Sequence, residues 1–558
     1  MIQKFYNKLP KIVKFILREG LPLVVLILSI TIEMKHLVDS NWIHFFLYNG
    51  DSLTLPILKR ALVSKNPFLW VSSSQLLFFP EGLFYAISSF ITTSIRASLV
   101  FNAYLNVTIL YILIRCITSM FHDVSNILQR IFALSGGLLL IFYMLLERQP
   151  NINYSSVATL FLFTTYYYGI IIAGVAILGI LLFQIKNTKI SKKNIIIGIL
   201  SFLISAMSTF SDPLFAMEFL FPLAITLLLI FIFTRVSLRK VIWLGIFPLT
   251  GGTIGYLVRI PFQYLIGQNL TSHISTSDIP LTLTVFHTAL RTDMMSLYGS
   301  LEILGVFVVL LFSLIYSLVW IYRRVHNPKK LDDRLLIISL LAVLTGIVSI
   351  IFSIIIGAQT TRYLIPLIIF PILGLLPIVY MSVVRKYEKH IIMFFILLGI
   401  IISIIGLGSI SRAFKLVSAS TYSTPLCLAN ALNNKTAYGV GSYWKVRALD
   451  LYGRNNEQAF QVMSNLAFFP WQANIGSYNN QRLTFIIVDK QPSLYSILPN
   501  DIYLPPNPSK ITSCNNIYIY QYSVGSKGYN ILNNVVQQSY QEVKRLYSSG
   551  NLSTTTYL

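Results

Sequence analysis

Apolar runs of membrane-spanning length recur along the chain, each bounded by a short polar segment. They cover residues 101–120, 130–146, 166–185, 195–210, 213–234, 241–258, 301–322, 335–356, 364–384 and 391–410. A helix needs about 20 mostly apolar residues to cross the hydrocarbon of a bilayer. An eleventh span is expected at 16–37, where Arg18, Glu19 and Glu33 interrupt the pattern. Arg18 can extend its head to the interface, and Glu33 falls toward the opposite end. This first run has no small-residue cleavage site, so it reads as an uncleaved span. The pattern predicts an α-helical polytopic membrane protein of about 11 transmembrane helices.

The linkers set the expected orientation. Lys4, Lys8, Lys11 and Lys14 precede the first span. Later clusters are Lys186/Lys189/Lys192/Lys193, Arg235/Arg239/Lys240, Arg323/Arg324/Lys329/Lys330 and Arg385/Lys386/Lys389. Each follows the previous cluster after an even number of crossings, as the positive-inside rule requires. The N-terminus is then cytoplasmic, and everything after residue 410 lies outside. Residues 82–95 are also apolar, but counting them as a span would put every later basic cluster outside. They read instead as an interfacial or re-entrant helix within one long external loop, 38–97. The expected domains are a transmembrane domain over 1–410 and an external domain over 411–558.

Composition narrows the class. Of 558 residues, 55% are hydrophobic and 11% charged, against about 25% charged in soluble domains; mean hydropathy is +0.69. The formal net charge of +23 does not point to nucleic acid, because the cations lie between apolar runs rather than on one soluble face. Membrane lipids are the expected surroundings, and a bacterial inner (cytoplasmic) membrane the expected location, with the C-terminal domain periplasmic.

Unusual residues collect on the expected external face. Tyr48-Asn49-Gly50-Asp51-Ser52 is followed by 53–63, where Leu55, Ile57, Leu58, Ala61 and Leu62 oppose Lys59 and Arg60. That pattern suits an amphipathic helix in the headgroup plane, with Lys59 and Arg60 as headgroup contacts or as phosphate-binding cations. Asp51 and Glu81 are the acids between Trp42 and Ala97, and an acid against a membrane interface is costly unless paired or used. Each also has an ordinary reading as a turn residue. Asp212-Pro213 forms a tight hairpin in which Asp212 either caps a helix or binds substrate. Arg291, Asp293 and Tyr298 close the loop 259–300. Arg362-Tyr363 opens the tenth span, a cation where the inside bias wants none; it snorkels, pairs with Asp293, or meets an anionic ligand. Tyr166-Tyr167-Tyr168 reads as an aromatic belt.

After residue 410 the chain turns polar. Residues 483–488 and 517–522 read as strands, and 428–432, 443–451 and 531–546 as helices, giving a small external α/β domain. Cys427 and Cys514 lie in it and are a disulfide candidate in an oxidising compartment. Phe468-Phe469-Pro470-Trp471 and Tyr443-Trp444 either stack on a sugar or build the domain's core.

With its long first external loop, its interfacial helices and Asp51, the chain resembles the C-type superfamily of membrane glycosyltransferases. Within it, the chain is similar to protein O-mannosyltransferases and lipid A aminoarabinose transferases. The resemblance covers the architecture of residues 1–410. Asp51 matches the family's catalytic acid by position and Glu81 a second acid of the same loop; Arg362-Tyr363-Leu364-Ile365-Pro366 matches an Arg-Tyr-x-x-Pro pattern. Many members pair two acids at the first site, whereas here Ser52 follows Asp51.

The resemblance implies transfer of a sugar from a polyprenyl-phosphate carrier to a lipid, glycan or protein acceptor on the outer face, with inversion. Asp51 would take the acceptor's proton. Arg362, Arg291 and Lys59 or Arg60 would stabilise the leaving phosphate, with Glu81, Asp212, Asp293 and Tyr363 as further substrate contacts. There is no His/Cys cluster at metal-ligand spacing and no phosphate-cradling glycine loop. No cofactor is named by the residues, and a divalent metal stays open. Two alternatives stand beside this reading. A lipid-linked glycan transporter or flippase would use polar residues within spans, here Asn106, Glu218 and Glu302. A non-catalytic membrane scaffold would have kept the architecture alone.

Overall fold

The structure is a computed structural model. It describes residues 11–121, 124–150, 157–186, 191–234, 236–267, 278–326, 332–358, 360–375, 384–418, 423–432, 437–453, 457–478, 481–490 and 502–552. Among the described residues, ten helices are long and apolar enough to cross a membrane. They are Arg18–Asp39, Ile95–Thr118, Asn126–Leu146, Tyr168–Ile185, Lys192–Ser211, Ala216–Phe233, Leu238–Leu265, Leu297–Arg323, Asp333–Ile355 and Tyr387–Ser418. The protein is an integral membrane protein of the polytopic helical class. The span expected at 364–384 begins as the shorter helix Thr361–Leu373, and residues 376–383 lie outside the described residues, as do Lys4, Lys8, Lys189, Arg235, Lys329 and Lys330 of the basic clusters.

The chain divides into two compact units. The membrane unit comprises Met1–Asn41, Phe78–Leu257 and Ser275–Val417; the second unit comprises Trp42–Leu77, Val258–Ile274 and Ser418–Leu558. The first long loop is therefore shared between them, its front half folding with the C-terminal residues.

In the membrane unit, polar side chains at helix starts satisfy backbone N–H groups that the helix leaves open. Ser94 Oγ accepts from Ala97 N at 3.1 Å, and Asp332 Oδ1 from Arg334 N at 3.0 Å. The first span packs along Val384–Ala413, where a Cβ on Gly406 would come within 2.7 Å of Leu28 Cβ. Glycine is what permits that approach. Glu19, awkward in an apolar helix, is held by Arg115 at 3.1 Å and Arg130 at 2.8 Å. The segment expected as an interfacial helix forms the short helix Leu83–Ile91. One element departs from the pattern: the loop expected over 259–300 contains the helix Ile279–Met294, with Pro280 in its first turn. Its scattered Thr and His weakened the apolar period, and Pro280 reads as a breaker although it is well suited to a helix start.

Among its described residues the second unit is built on seven short strands, β1 (Trp70–Val71), β2 (Ala437–Gly441), β3 (Glu457–Gln461), β4 (Ala473–Asn474), β5 (Leu483–Asp489), β6 (Lys510–Cys514) and β7 (Ile517–Gln521). β1 pairs antiparallel with β4, and the other five form one sheet in the order β3-β2-β5-β7-β6. β3, β2 and β5 run parallel, and β7 and β6 add antiparallel at one edge. The helix Tyr443–Tyr452 connects β2 to β3, as a parallel pair requires. The helix Lys527–Ser548 buries Leu532, Val536, Tyr540 and Val543 in a core with Ile486, Phe468 and Tyr478. Phe468, Phe469 and Tyr443 are buried, so core packing, rather than an exposed stacking platform, is their role.

Cys427 and Cys514 are joined by a disulfide with Cα atoms 5.8 Å apart, tying the helix Thr424–Ala431 to β6. The bridge closes 87 residues of sequence separation, which the chain-entropy relation values at about 4–5 kcal/mol. Cys514→Ser is expected to lower the urea midpoint of the second unit markedly in pulse proteolysis. An unchanged midpoint contradicts a stabilising bridge.

Candidate functional site

The residues singled out in the sequence fall into groups, and each group lies within one unit. In the membrane unit the organiser is the stretch Tyr166-Tyr167-Tyr168-Gly169. Its tyrosines are buried, which corrects their reading as an aromatic belt. Tyr167 has φ +61°, a left-handed conformation that costs a bulky residue roughly 1–3 kcal/mol. That backbone turns the Tyr167 ring against Tyr363, with centroids 5.1 Å apart. The Arg362 guanidinium lies over both rings, 6.0 Å from the Tyr167 centroid and 5.6 Å from that of Tyr363. Thr360 caps the short turn Thr361–Leu364 that presents Arg362.

One residue further along, Tyr168 OH lies 3.5 Å from the Glu81 backbone carbonyl, to which it donates. The Glu81 carboxylate accepts from the Gly169 N–H and is 2% exposed. Gly169 leaves no room for a Cβ beside this carboxyl, so glycine is required here by the acid's approach. Burial pushes the Glu81 pKa up to about 8, and the charge of nearby Asp212 adds to the effect. Asp212 is itself buried, and its Oδ1 accepts from Leu214 N at 3.0 Å, so it does shape the turn before Ala216–Phe233. Its charge also reaches Tyr167 and Glu218. Glu81, Asp212, Arg362 and Tyr363 are thus gathered around one tyrosine stretch.

Glu147 positions that stretch and was not singled out in the sequence. Its carboxylate accepts from the backbone N–H groups of Val157 (2.5 Å), Ala158 (2.7 Å) and Thr159 (2.8 Å), where the turn Thr159–Leu162 begins. Three N–H donors converging on one anion make a strong anchor. Glu302 is hydrogen-bonded to Glu147, and Asn106 donates to Phe161 O at 3.1 Å. Arg291 and Asp293 sit elsewhere, on Ile279–Met294, and Asp293 has Glu302 as a charged neighbour.

Asp51, Lys59 and Arg60 belong to the second unit. Asp51 N donates to Asn49 Oδ1 at 2.9 Å, and its carbonyl accepts from Thr54 N at 3.0 Å, an Asx turn leading into the helix Thr54–Val63. Tyr443 OH donates to Asp51 Oδ1 at 2.7 Å. A Cβ on Gly50 would come within 2.6 Å of the Tyr443 ring, so Gly50 makes room for this bond. Arg447, also buried, has its guanidinium 4.6 Å from the Tyr443 ring centroid and feels the Asp51 charge. Arg60 forms an ion pair with Asp450, so its partner here is a carboxylate rather than a headgroup. Lys59 is exposed. Among the described residues, no group of three or more His, Cys, Asp or Glu is arranged to hold a metal ion.

The Glu81 shift carries a pH signature. A carboxyl whose folded-state pKa is raised contributes stability that is complete below its unfolded value, about 4.5, and lost as pH rises to about 8. Membrane-embedded protein is expected to lose melting temperature between pH 5 and pH 8. Glu81→Gln removes a penalty on the order of a few kcal/mol and flattens that slope. Parallel slopes in the two proteins contradict a buried Glu81.

No family model matches the chain, and no curated protein matches it. Among solved structures, the chain is similar to the oligosaccharyltransferase of Archaeoglobus fulgidus in its apo form, with TM-score 0.45 and 11% identity over 84% of this chain and 69% of that one. It is also similar to the archaeal oligosaccharyltransferase AglB from that organism in complex with an inhibitory peptide and a dolichol-phosphate, with TM-score 0.46 and 11% identity over 83% and 69%. A third structure, the Archaeoglobus fulgidus oligosaccharyltransferase with Zn and sulfate, gives TM-score 0.40 and 12% identity over 84% and 68%. At TM-scores below 0.5 the functional reading rests on this chain's own residues.

Proposed function

We propose that the protein is a membrane glycosyltransferase that takes its sugar from a polyprenyl-phosphate carrier at the non-cytoplasmic face and passes it to an envelope acceptor. The observation that carries the proposal is the gathering of one guanidinium and two carboxyls, Arg362, Glu81 and Asp212, around the buried tyrosines 166–168. Charged groups in an apolar helical protein are expensive, and their concentration at one place is the expected signature of a working site.

Arg362, Glu81 and Asp212 are assigned the donor. Arg362 offers planar N–H pairs to a phosphate, which leaves as an anion and needs cations rather than an acid. Glu81, protonated below about pH 8, can donate a hydrogen bond to the sugar, and Asp212 can accept one. Asp51 is assigned the proton. In the proposed step the acceptor hydroxyl oxygen bonds to the anomeric carbon, and the bond from that carbon to the phosphate oxygen breaks with its electron pair leaving on phosphate. The hydroxyl proton passes to Asp51. A single displacement of this kind inverts the anomeric centre. Tyr443, donating to one Asp51 oxygen, orients the carboxylate. The basic linkers support a cytoplasmic N-terminus and, with it, a bacterial cytoplasmic membrane as the setting.

Asp51→Asn is expected to lower transfer from polyprenyl-phosphate sugar about 10²–10⁴-fold in reconstituted membranes, the usual contribution of a general base. Arg362→Lys should retain part of the activity that Arg362→Ala loses, because the charge survives while the fork does not. Wild-type transfer by Asp51→Asn would remove Asp51 from the mechanism.

A further inference from the structure

The second unit holds a cavity of about 430 Å³ bounded by the helix Thr54–Val63, the helix Tyr443–Tyr452 and strands β3 and β4. Such a volume lies within the usual range of small-ligand sites. Five amide side chains, Asn66, Gln458, Gln461, Gln472 and Asn474, line it, and the hydrogen bonds of Gln461 and Asn474 are only partly used up within the protein.

Asn474 Oδ1 accepts from Leu69 N at 2.8 Å and from Gly476 N at 3.2 Å, whereas its Nδ2 is buried with no partner among the described residues. Asn474 is 7% exposed. Arg447, 3% exposed, donates through Nη1 to Gln472 O at 3.0 Å and through Nη2 to Thr54 Oγ1 at 3.1 Å, while its Nε has no partner among the described residues. Gln461 Nε2 donates to Phe469 O and Trp471 O, which fixes the amide and leaves its carbonyl oxygen for other use. A buried donor left unmade costs about 1–3 kcal/mol, and two of them on one cavity wall call for a ligand bearing acceptors.

The charge of the wall selects among ligands. Arg60 and Asp450, both lining the cavity, neutralise one another, and the Arg447 charge lies in the field of Asp51. What remains beside the Arg447 guanidinium is a set of uncharged amides and the apolar side chains of Phe460 and Phe468. Amides supply donors and acceptors side by side, which matches hydroxyls, each of them both donor and acceptor. An aliphatic chain would strand the wall's polar groups, and an anion would find two guanidiniums already engaged, Arg60 by Asp450 and Arg447 by Gln472 O and Thr54 Oγ1. We infer that this cavity binds a neutral saccharide. Identifying that saccharide as the acceptor glycan rests on the function proposed above, whereas binding itself does not.

The test uses the full chain in nanodiscs free of glycoside detergents, with mannobiose, cellobiose and N,N′-diacetylchitobiose as probes and inorganic phosphate as the anionic control, read by saturation-transfer NMR. At least one disaccharide is expected to bind saturably. Asn474→Asp keeps the Oδ1 that anchors Leu69 and Gly476 but removes the orphan donor, and it should weaken binding about tenfold, as should Gln458→Ala on the half-buried wall. Wild-type melting of both variants shows that they fold. Failure of all three disaccharides to bind the folded chain, or phosphate binding in their place, overturns the inference, whatever the transfer assay shows. Saccharide binding that persists without any transfer activity supports the cavity and counts only against the chemistry proposed above.

Discussion

A charge surrounded by apolar side chains must acquire a partner or give up its charge, and this requirement shapes both units. Glu19 is held by two arginines, Glu147 by three backbone N–H groups and Asp51 by a tyrosine hydroxyl. Arg362 lies over aromatic rings, and Glu81 keeps its proton to about pH 8. The solutions differ because the tasks differ. Ion pairs and backbone donors fix a position permanently. A carboxyl that retains its proton keeps a hydrogen-bond donor for something outside the chain.

The tyrosine stretch shows how local backbone geometry becomes a site. Glu147 anchors the turn that precedes it, the left-handed Tyr167 directs one ring toward Tyr363, and Gly169 admits the Glu81 carboxyl on the other side. Strain at a bulky residue persists where the surroundings over-determine it, and here neighbours on both sides do so. Asp51 has a counterpart device in the second unit, where Gly50 gives the Tyr443 ring its place.

Much of this was legible in the apolar pattern. The spans, the short helix after Gly82, β5, β7 and the helix starting near Tyr443 all carry strong local periodicity or β-branched content. β2 did not, because Ala437-Tyr438-Gly439-Val440-Gly441 has glycines in place of strand formers, Gly439 making room for Phe485 and Gly441 for Val446 and Ile487. The helix Ile279–Met294 hid behind Pro280 and a weak period. Of the site, Asp51, Glu81, Asp212 and Arg362 stood out as charges in apolar surroundings. The role of Tyr167 did not, since a left-handed backbone at a non-glycine residue leaves no mark in sequence. Nor did Glu147, whose partners are backbone groups, or the pairing of Arg60 with Asp450, 390 residues away. Contacts across such separations follow from tertiary packing alone.

The central claim is that Arg362, held over Tyr167 and Tyr363, receives a lipid phosphate. The most direct measurement is a ³¹P NMR titration of polyprenyl phosphate into nanodiscs carrying the wild-type chain or Arg362→Gln. A saturable shift of the phosphate resonance with the wild type, lost with Arg362→Gln at unchanged melting temperature, is the expected result. An equal, saturable shift with Arg362→Gln would place the lipid phosphate elsewhere and contradict the claim.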